Sequence, residues 1–281
     1  MAAVEEIIEQ AMALGDEGRW QEMAELLART ARESEEDDPY LYGWLGVAER
    51  ELGNDGAAYD AFKRCIAAEP VDPNLLALAG SGLAALDDPD AESVLRTAAL
   101  TGPDLAFARL QYGAYLAREG MFDEALEHLQ AAVRLEPDDP GAQSELAIAH
   151  ALRGDHVAAA ESMERTLELA PDDSWTRVLL GLVHTQLNEL EDAAEQLVQA
   201  AAERLDDPEA QLLAALGAAA VGWEDAAQDA LARAEYAPEP LDPEVLAEAE
   251  DAIALGNDAA RALLLETLAP SVLHERLSQP L

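Results

Sequence analysis

Apolar side chains along this chain recur at helical intervals in short bursts, each closed by a few turn residues. In 106–119, "AFARLQYGAYLARE", they fall three and four apart, as in an amphipathic helix, and Gly120 then supplies a stop. "DEALEHLQAAVRLE" restarts the pattern, with Asp123 and Glu124 at the positive N-terminal end of a second helix. Pro137 ends that helix, and Asp139–Pro140 opens the next as N-cap and first-turn proline. The acidic phrase "RLEPDDPGAQ" at 134–143 is therefore punctuation: a helix stop, a tight turn and a helix start.

The pair of helices is written again and again. Pro137 and Pro171 lie 34 residues apart, as do Gly120 and Gly154. A small residue recurs at Gly46, Gly80, Gly113, Ala147, Gly181 and Ala215, and an alanine at Ala58, Ala91, Ala125, Ala159, Ala193 and Ala227. Four places after each alanine stands a bulky residue: Phe62, Leu95, Leu129, Met163, Leu197 and Leu231. Three further on comes Cys65, Ala98, Ala132, Thr166, Ala200 or Ala234. In each series every step is 34 residues except one of 33. A fixed period of this size signals stacked units, none able to bury its apolar face alone. The small residues predict close backbone approach, and the bulky ones fill the seam.

These residues resemble the tetratricopeptide repeat. Unit 39–72 carries the fullest match, with Tyr42, Leu45, Gly46, Ala58, Phe62 and Pro70. The resemblance implies an all-α, right-handed superhelical solenoid of about seven to eight helix–turn–helix repeats, running as one array through 1–281. Its units fall at about 4–38, 39–72, 73–105, 106–139, 140–173, 174–207 and 208–241, with a degenerate unit at 242–270 and a closing segment at 271–281. Unit 73–105 is one residue short and lacks aromatics, and Leu205 stands where unit 174–207 should have its closing proline.

Charge changes the picture more than composition does. The chain has 58 acids against 17 bases, a formal net charge of −41, where about 2–8 units suffice to keep a small domain soluble. Lys63 is the only lysine. Acids are spread through every unit, which leaves three readings: adaptation to a salt-rich cytoplasm, attraction of a basic partner, or a low-pI bias without special purpose. Phosphate binding needs clustered Lys and Arg, and no such stripe exists, so nucleic acid is disfavoured. The start, "MAAVEEIIEQ", is too acidic for a signal peptide, and the longest apolar run, 210–223, is too short to span a bilayer. One cysteine excludes an internal disulfide framework and suits the cytoplasm, such as that of a salt-accumulating prokaryote. Cys65 occupies a small-residue packing slot.

Catalytic signatures are missing: no nucleophile elbow, phosphate-cradling glycine loop, HExxH, CxxC or EF-hand loop. His150 and His184 share one slot in adjacent repeats, where the family often carries Tyr; they either pack as polar aromatics or pair on a metal. The Asp–Asp pairs read as caps rather than calcium ligands. The expectation is a non-enzyme with no catalytic, cofactor or metal site.

What remains is surface. The resemblance implies that first helices of successive units line a concave groove that binds segments of partner proteins. The expected lining is Tyr40, Val47, Leu110, Ala114, Ser144, Ile148, Trp175, Val178, Leu182, Leu212 and Leu216, unless curvature buries some of them. This line is mostly apolar, so the expected partner is an apolar or basic-and-apolar protein segment. The carboxylate-gripping set of Lys, Arg and Asn is absent there, with Arg50 and Arg118 only at the edge. The sequence-level reading is an interaction scaffold; alternatives are a structural subunit or assembly factor of a complex or homo-oligomer, or a regulatory partner of a separately encoded enzyme.

Overall fold

The computed structural model describes residues 2–34, 37–239 and 241–278, and among them every regular element is helical. The chain divides into two compact units, Met1–Glu136 and Pro137–Leu281. In the first, α1 (Ala2–Asp16) packs on α2 (Trp20–Glu33), α3 (Pro39–Glu51) on α4 (Asp55–Ala67), α5 (Pro73–Ala85) on α6 (Ala91–Thr101) and α7 (Ala106–Arg118) on α8 (Phe122–Leu135). In the second, α9 (Pro140–Arg153) packs on α10 (His156–Leu169), α11 (Ser174–Leu187) on α12 (Leu190–Glu203), α13 (Pro208–Ala220) on α14 (Glu224–Glu235) and α15 (Pro243–Leu255) on α16 (Asn257–Leu263). From α16 the helix runs on through one wide π-turn, Leu264–Leu268, into α17 (Ala269–Ser278).

The repeating slots explain why each pair closes. A Cβ built on Gly46 would stand 2.5 Å from the Phe62 ring, and one on Gly113 or Gly181 would stand 2.7 Å from Leu129 or Leu197. The small residue of the first helix is thus the socket for the bulky residue of the second. The alanine slot, from Ala58 to Ala227, is buried throughout. So is the small-residue slot seven places on, which puts Cys65 in the core, where burial pushes its thiol up to about 12.

Turns repeat as faithfully. Gly53, Asp87, Gly120, Gly154, Asn188 and Gly222 follow the period, and all six hold positive φ, between 54° and 84°. This is the left-handed residue after a helix, which Gly tolerates freely and Asn or Asp with modest strain. At the other end, Asp38, Asp72, Asp139, Asp173, Asp207 and Asp242 each accept a backbone N–H two or three residues on, as N-caps. Leu105, in the short unit, caps nothing with its side chain. Part of the acid excess is therefore helix punctuation.

One further slot holds successive pairs together. Arg109 Nε donates to the Pro103 carbonyl at 3.1 Å, and Gln211 Nε2 donates to those of Ala201 and Arg204 at 2.6 and 3.1 Å. Arg177, one repeat before Gln211, donates to the Pro171 carbonyl. Each satisfies carbonyls left over at or just beyond the end of the preceding helix. Gln211 does so where Leu205 replaces the closing proline.

The last segment departs from the sequence expectation. Within 242–270 α15 and α16 pair, but no separate closing segment follows: residues 257–278 form one continuous helical strap. The wide turn falls just before Pro270, with the Ala269 N–H reaching back to the Leu264 carbonyl. In an unbroken α-helix the proline ring would press on the carbonyl four residues earlier, and widening the turn relieves that clash.

Candidate functional site

The surface in question is the face of the first helices. In the N-terminal unit these helices pack directly on one another, α1 on α3, α3 on α5 and α5 on α7. Close approach of α3 and α5 is possible because Gly43 has no Cβ, which would otherwise meet Leu75 Cδ1 at 2.5 Å. Along this row Tyr40 is 41% exposed, and its hydroxyl donates to Asp72 Oδ2 at 2.9 Å. Val47 and Leu110 are half-buried; Ala114 is buried. Phe107, 37% exposed, completes the row, and the sequence reading passed over it. The signal was present: Phe107 stands in the repeat slot of Tyr40 and Trp175.

In the C-terminal unit the same face is covered. Val178, Leu212 and Ile148 are buried, and Leu182 and Leu216 have no exposure at all. Ser144 and Trp175 are half-buried, with the Arg204 guanidinium 5.5 Å from the Trp175 ring. Every residue from Thr176 to Thr185 and from Ala210 to Ala219 is buried, so α11 and α13 have no solvated face along those stretches. The cover is the strap: α16 packs on α13, the wide turn on α11 and α13, and α17 on α11 and α9. The expectation of a solvated strip at Val178, Leu182, Leu212 and Leu216 is therefore corrected. These side chains are core, in one apolar cluster with Leu263, Leu264, Val272, Leu273 and Leu277 of the strap.

Many of the bases are already paired: Lys63 Nζ lies 3.2 Å from Asp88 and 2.7 Å from Asp90, Arg64 is 2.9 Å from Asp37, and Arg204 is 2.8 Å from Asp207. Asp88 is the buried member of its group. Burial works against its charge, but the Asp90 amide, the Tyr59 hydroxyl and Lys63 outweigh it and hold the carboxyl below its ordinary range. With bases committed internally, the surplus of acids sets the field a partner meets.

His184 closes its own turn with a hydrogen bond, whereas His150 only lies near the equivalent carboxylate. His184 Nδ1 lies 2.8 Å from Glu189, and His150 Nδ1 lies 3.9 Å from Asp155 in the equivalent turn one repeat earlier. Burial lowers the affinity of His150 for a proton. His184, Glu189 and Asp192 bring ligand atoms within 4.8 Å of one another, but both carboxylates are exposed and the imidazole already closes the turn. That arrangement gives no ground for a metal centre. Among the described residues no helix is long and apolar enough to cross a membrane.

Comparison with known proteins agrees with this architecture. Two profiles described as tetratricopeptide repeat match, one over residues 8–73 and 110–174 and the other over 150–216. No curated protein matches. Among solved structures, the APC/C hetero-tetramer Cut9–Hcn1 aligns with a TM-score of 0.65 at 18% identity, covering 92% of this chain and 48% of that one. PilW, a widely conserved type IV pilus biogenesis factor, aligns at 0.63 and 18% identity, over 72% of this chain and 94% of its own. A thermophilic TPR protein from Thermus thermophilus aligns at 0.53 and 27% identity, over 64% of this chain and 97% of its own. With its period, its socket-and-plug slots and two family profiles that together span more than half its length, the chain belongs to the tetratricopeptide-repeat family.

Proposed function

We propose that this chain is a non-catalytic interaction scaffold that binds a basic-and-apolar segment of a partner protein on the first-helix face of its N-terminal unit. The coarse part follows from membership in a family of protein-interaction repeats. The observation behind the finer part is the pair of accessible aromatics, Tyr40 and Phe107, set in one repeat slot on a chain of net charge −41. Aromatic anchors tend to dominate binding energy, and an anionic surround attracts and orients a basic partner. The half-buried Val47 and Leu110 extend the apolar contact.

The test is capture from a lysate of the source organism, run across a salt series, with wild type beside Tyr40→Asp/Phe107→Asp. The captured protein should carry a basic-and-apolar segment, and the double variant should bind it roughly tenfold or more weakly, the loss of at least one anchor. Its circular dichroism should be unchanged, because both side chains are exposed. Equal capture by the folded double variant sends the search to the outer helices.

A further inference from the structure

The C-terminal strap raises a question that the repeats do not answer. Seven helix pairs, α1·α2 to α13·α14, follow the period, and each first helix already packs on its own second helix. The strap begins after the next turn slot, with Gly256 34 residues on from Gly222, yet it runs past the length of a second helix and covers the faces of three first helices. Its own burial is one-sided. Ala260, Leu263, Leu264, Ala269, Leu273 and Leu277 are buried, whereas Arg261, Glu266, Thr267 and Glu275 are exposed. That is how an amphipathic helix lies in an apolar groove, with anchors three and four residues apart and one step of five across the wide turn.

Three features set the strap apart from the array it lies on. It is nearly neutral, with Asp258, Glu266 and Glu275 against Arg261 and Arg276, in a chain otherwise dominated by acids. It departs from α15 through Gly256, whose φ of 112° and ψ of −178° suit only glycine. It is also tied to the rim of the face, where Arg261 donates to Asn188 Oδ1 at 2.7 Å. Asn188 is the left-handed residue that ends α11.

We propose that residues 257–278 are a resident helical ligand of the face formed by α9, α11 and α13, and that this face is a second helix-binding site, open only when the strap is released. The partner that takes it is an amphipathic helix of low net charge, with leucines and small residues spaced as in the strap itself. The proposal rests on the reading that first-helix faces are where this chain binds partners, and it adds a cis-occupied site to the open one. An incoming helix must exceed the strap's effective local concentration, so the intact chain disfavours weak competitors.

The experiment uses the full chain. Leu264→Asp/Leu273→Asp puts two charges on the buried side of the strap and should release it. Hydrogen exchange should then show strap amides losing protection while α3, α9 and α12 keep theirs. A synthetic peptide of residues 257–278 should bind the variant at one-to-one stoichiometry and roughly tenfold or more tightly than it binds wild type. A peptide carrying the same two aspartates should not bind. The proposal is overturned if the variant unfolds its repeats together with the strap, or if the folded variant ignores the wild-type peptide. Retained partner binding in Tyr40→Asp/Phe107→Asp, with peptide binding as expected here, would sink the N-terminal reading alone.

Discussion

The two units use one repeat and treat its first-helix face in opposite ways. In the N-terminal unit the first helices pack on one another and leave Tyr40 and Phe107 accessible, and the core is parcelled into local clusters around successive pairs. In the C-terminal unit one cluster runs from Ala147 to Leu277, because the strap joins the faces of α9, α11 and α13 into a continuous interior. The lesson is that an apolar first-helix face in such an array is not evidence of a free surface. The same pattern of leucines and valines is an open platform where nothing covers it and core where the chain returns.

The largest effect expected from breaking this contrast comes from Val178→Asp combined with Leu182→Asp. Two unpaired carboxylates would enter a dry cluster, each costing several kcal/mol, so thermal denaturation should show the C-terminal unit unfolded or nearly so at about 25 °C. Survival of both helices with native exchange protection would contradict their placement in the core.

Ala159→Trp is next. Ala159 has no exposure, in the slot where two helices meet, and overpacking there costs on the order of 1–3 kcal/mol or more. A fall in Tm of several degrees is the expected reading, and a tolerated tryptophan would mean the slots are misaligned.

Removing one cap should cost less. Asp207→Ala deletes an acceptor of the Glu209 and Ala210 amides and a partner of Arg204, for about 1–2 kcal/mol. Burial opposes the charge on Asp207, but the Ala210 amide and Arg204 outweigh it, so its carboxyl sits below the ordinary aspartate range. A group depressed in the folded state stabilises above its unfolded pKa and loses that contribution as pH falls through the folded value. The gap between wild type and Asp207→Ala should therefore be full at neutral pH and shrink below about pH 4. A gap that grows on acidification would be evidence against this cap.

Tyr40→Asp/Phe107→Asp should have a modest effect on stability, about 1–2 kcal/mol from lost partial burial, besides the lost Asp72 hydrogen bond. Salt offers a test of the acid excess that leaves the sequence unchanged. Screening at molar KCl shortens the Debye length to about 3 Å, so Tm should climb steeply if repulsion among the acids limits stability, as a salt-adapted protein requires. A flat curve favours the basic-partner account of the charge.

Much of the fold was legible because each slot has one physical job. Only a small residue can be the socket for Phe62 or Leu129, and an aspartate before Pro140 or Pro208 reads as a cap at once. Legibility fell where one job is done by different chemistry. Arg109, Arg177 and Gln211 all donate to carbonyls of the preceding turn, yet no residue-type pattern marks that slot. The candidate site was half legible. Tyr40 and its neighbours could be placed by period, but the cover over Leu182 and Leu216 comes from a strap that runs on past one repeat's length and carries Pro270, an apparent helix break. Local pattern specifies the pairs; the long-range return of the chain decides which face is free.

The central claim, an open face in one unit and a self-occupied face in the other, is tested most directly by hydroxyl-radical footprinting of the intact chain. Tyr40 and Phe107 should label rapidly, whereas Leu182 and Leu216 should stay protected and become reactive only in Leu264→Asp/Leu273→Asp. Labelling of Leu182 and Leu216 in wild type at rates comparable to Phe107 would contradict the account.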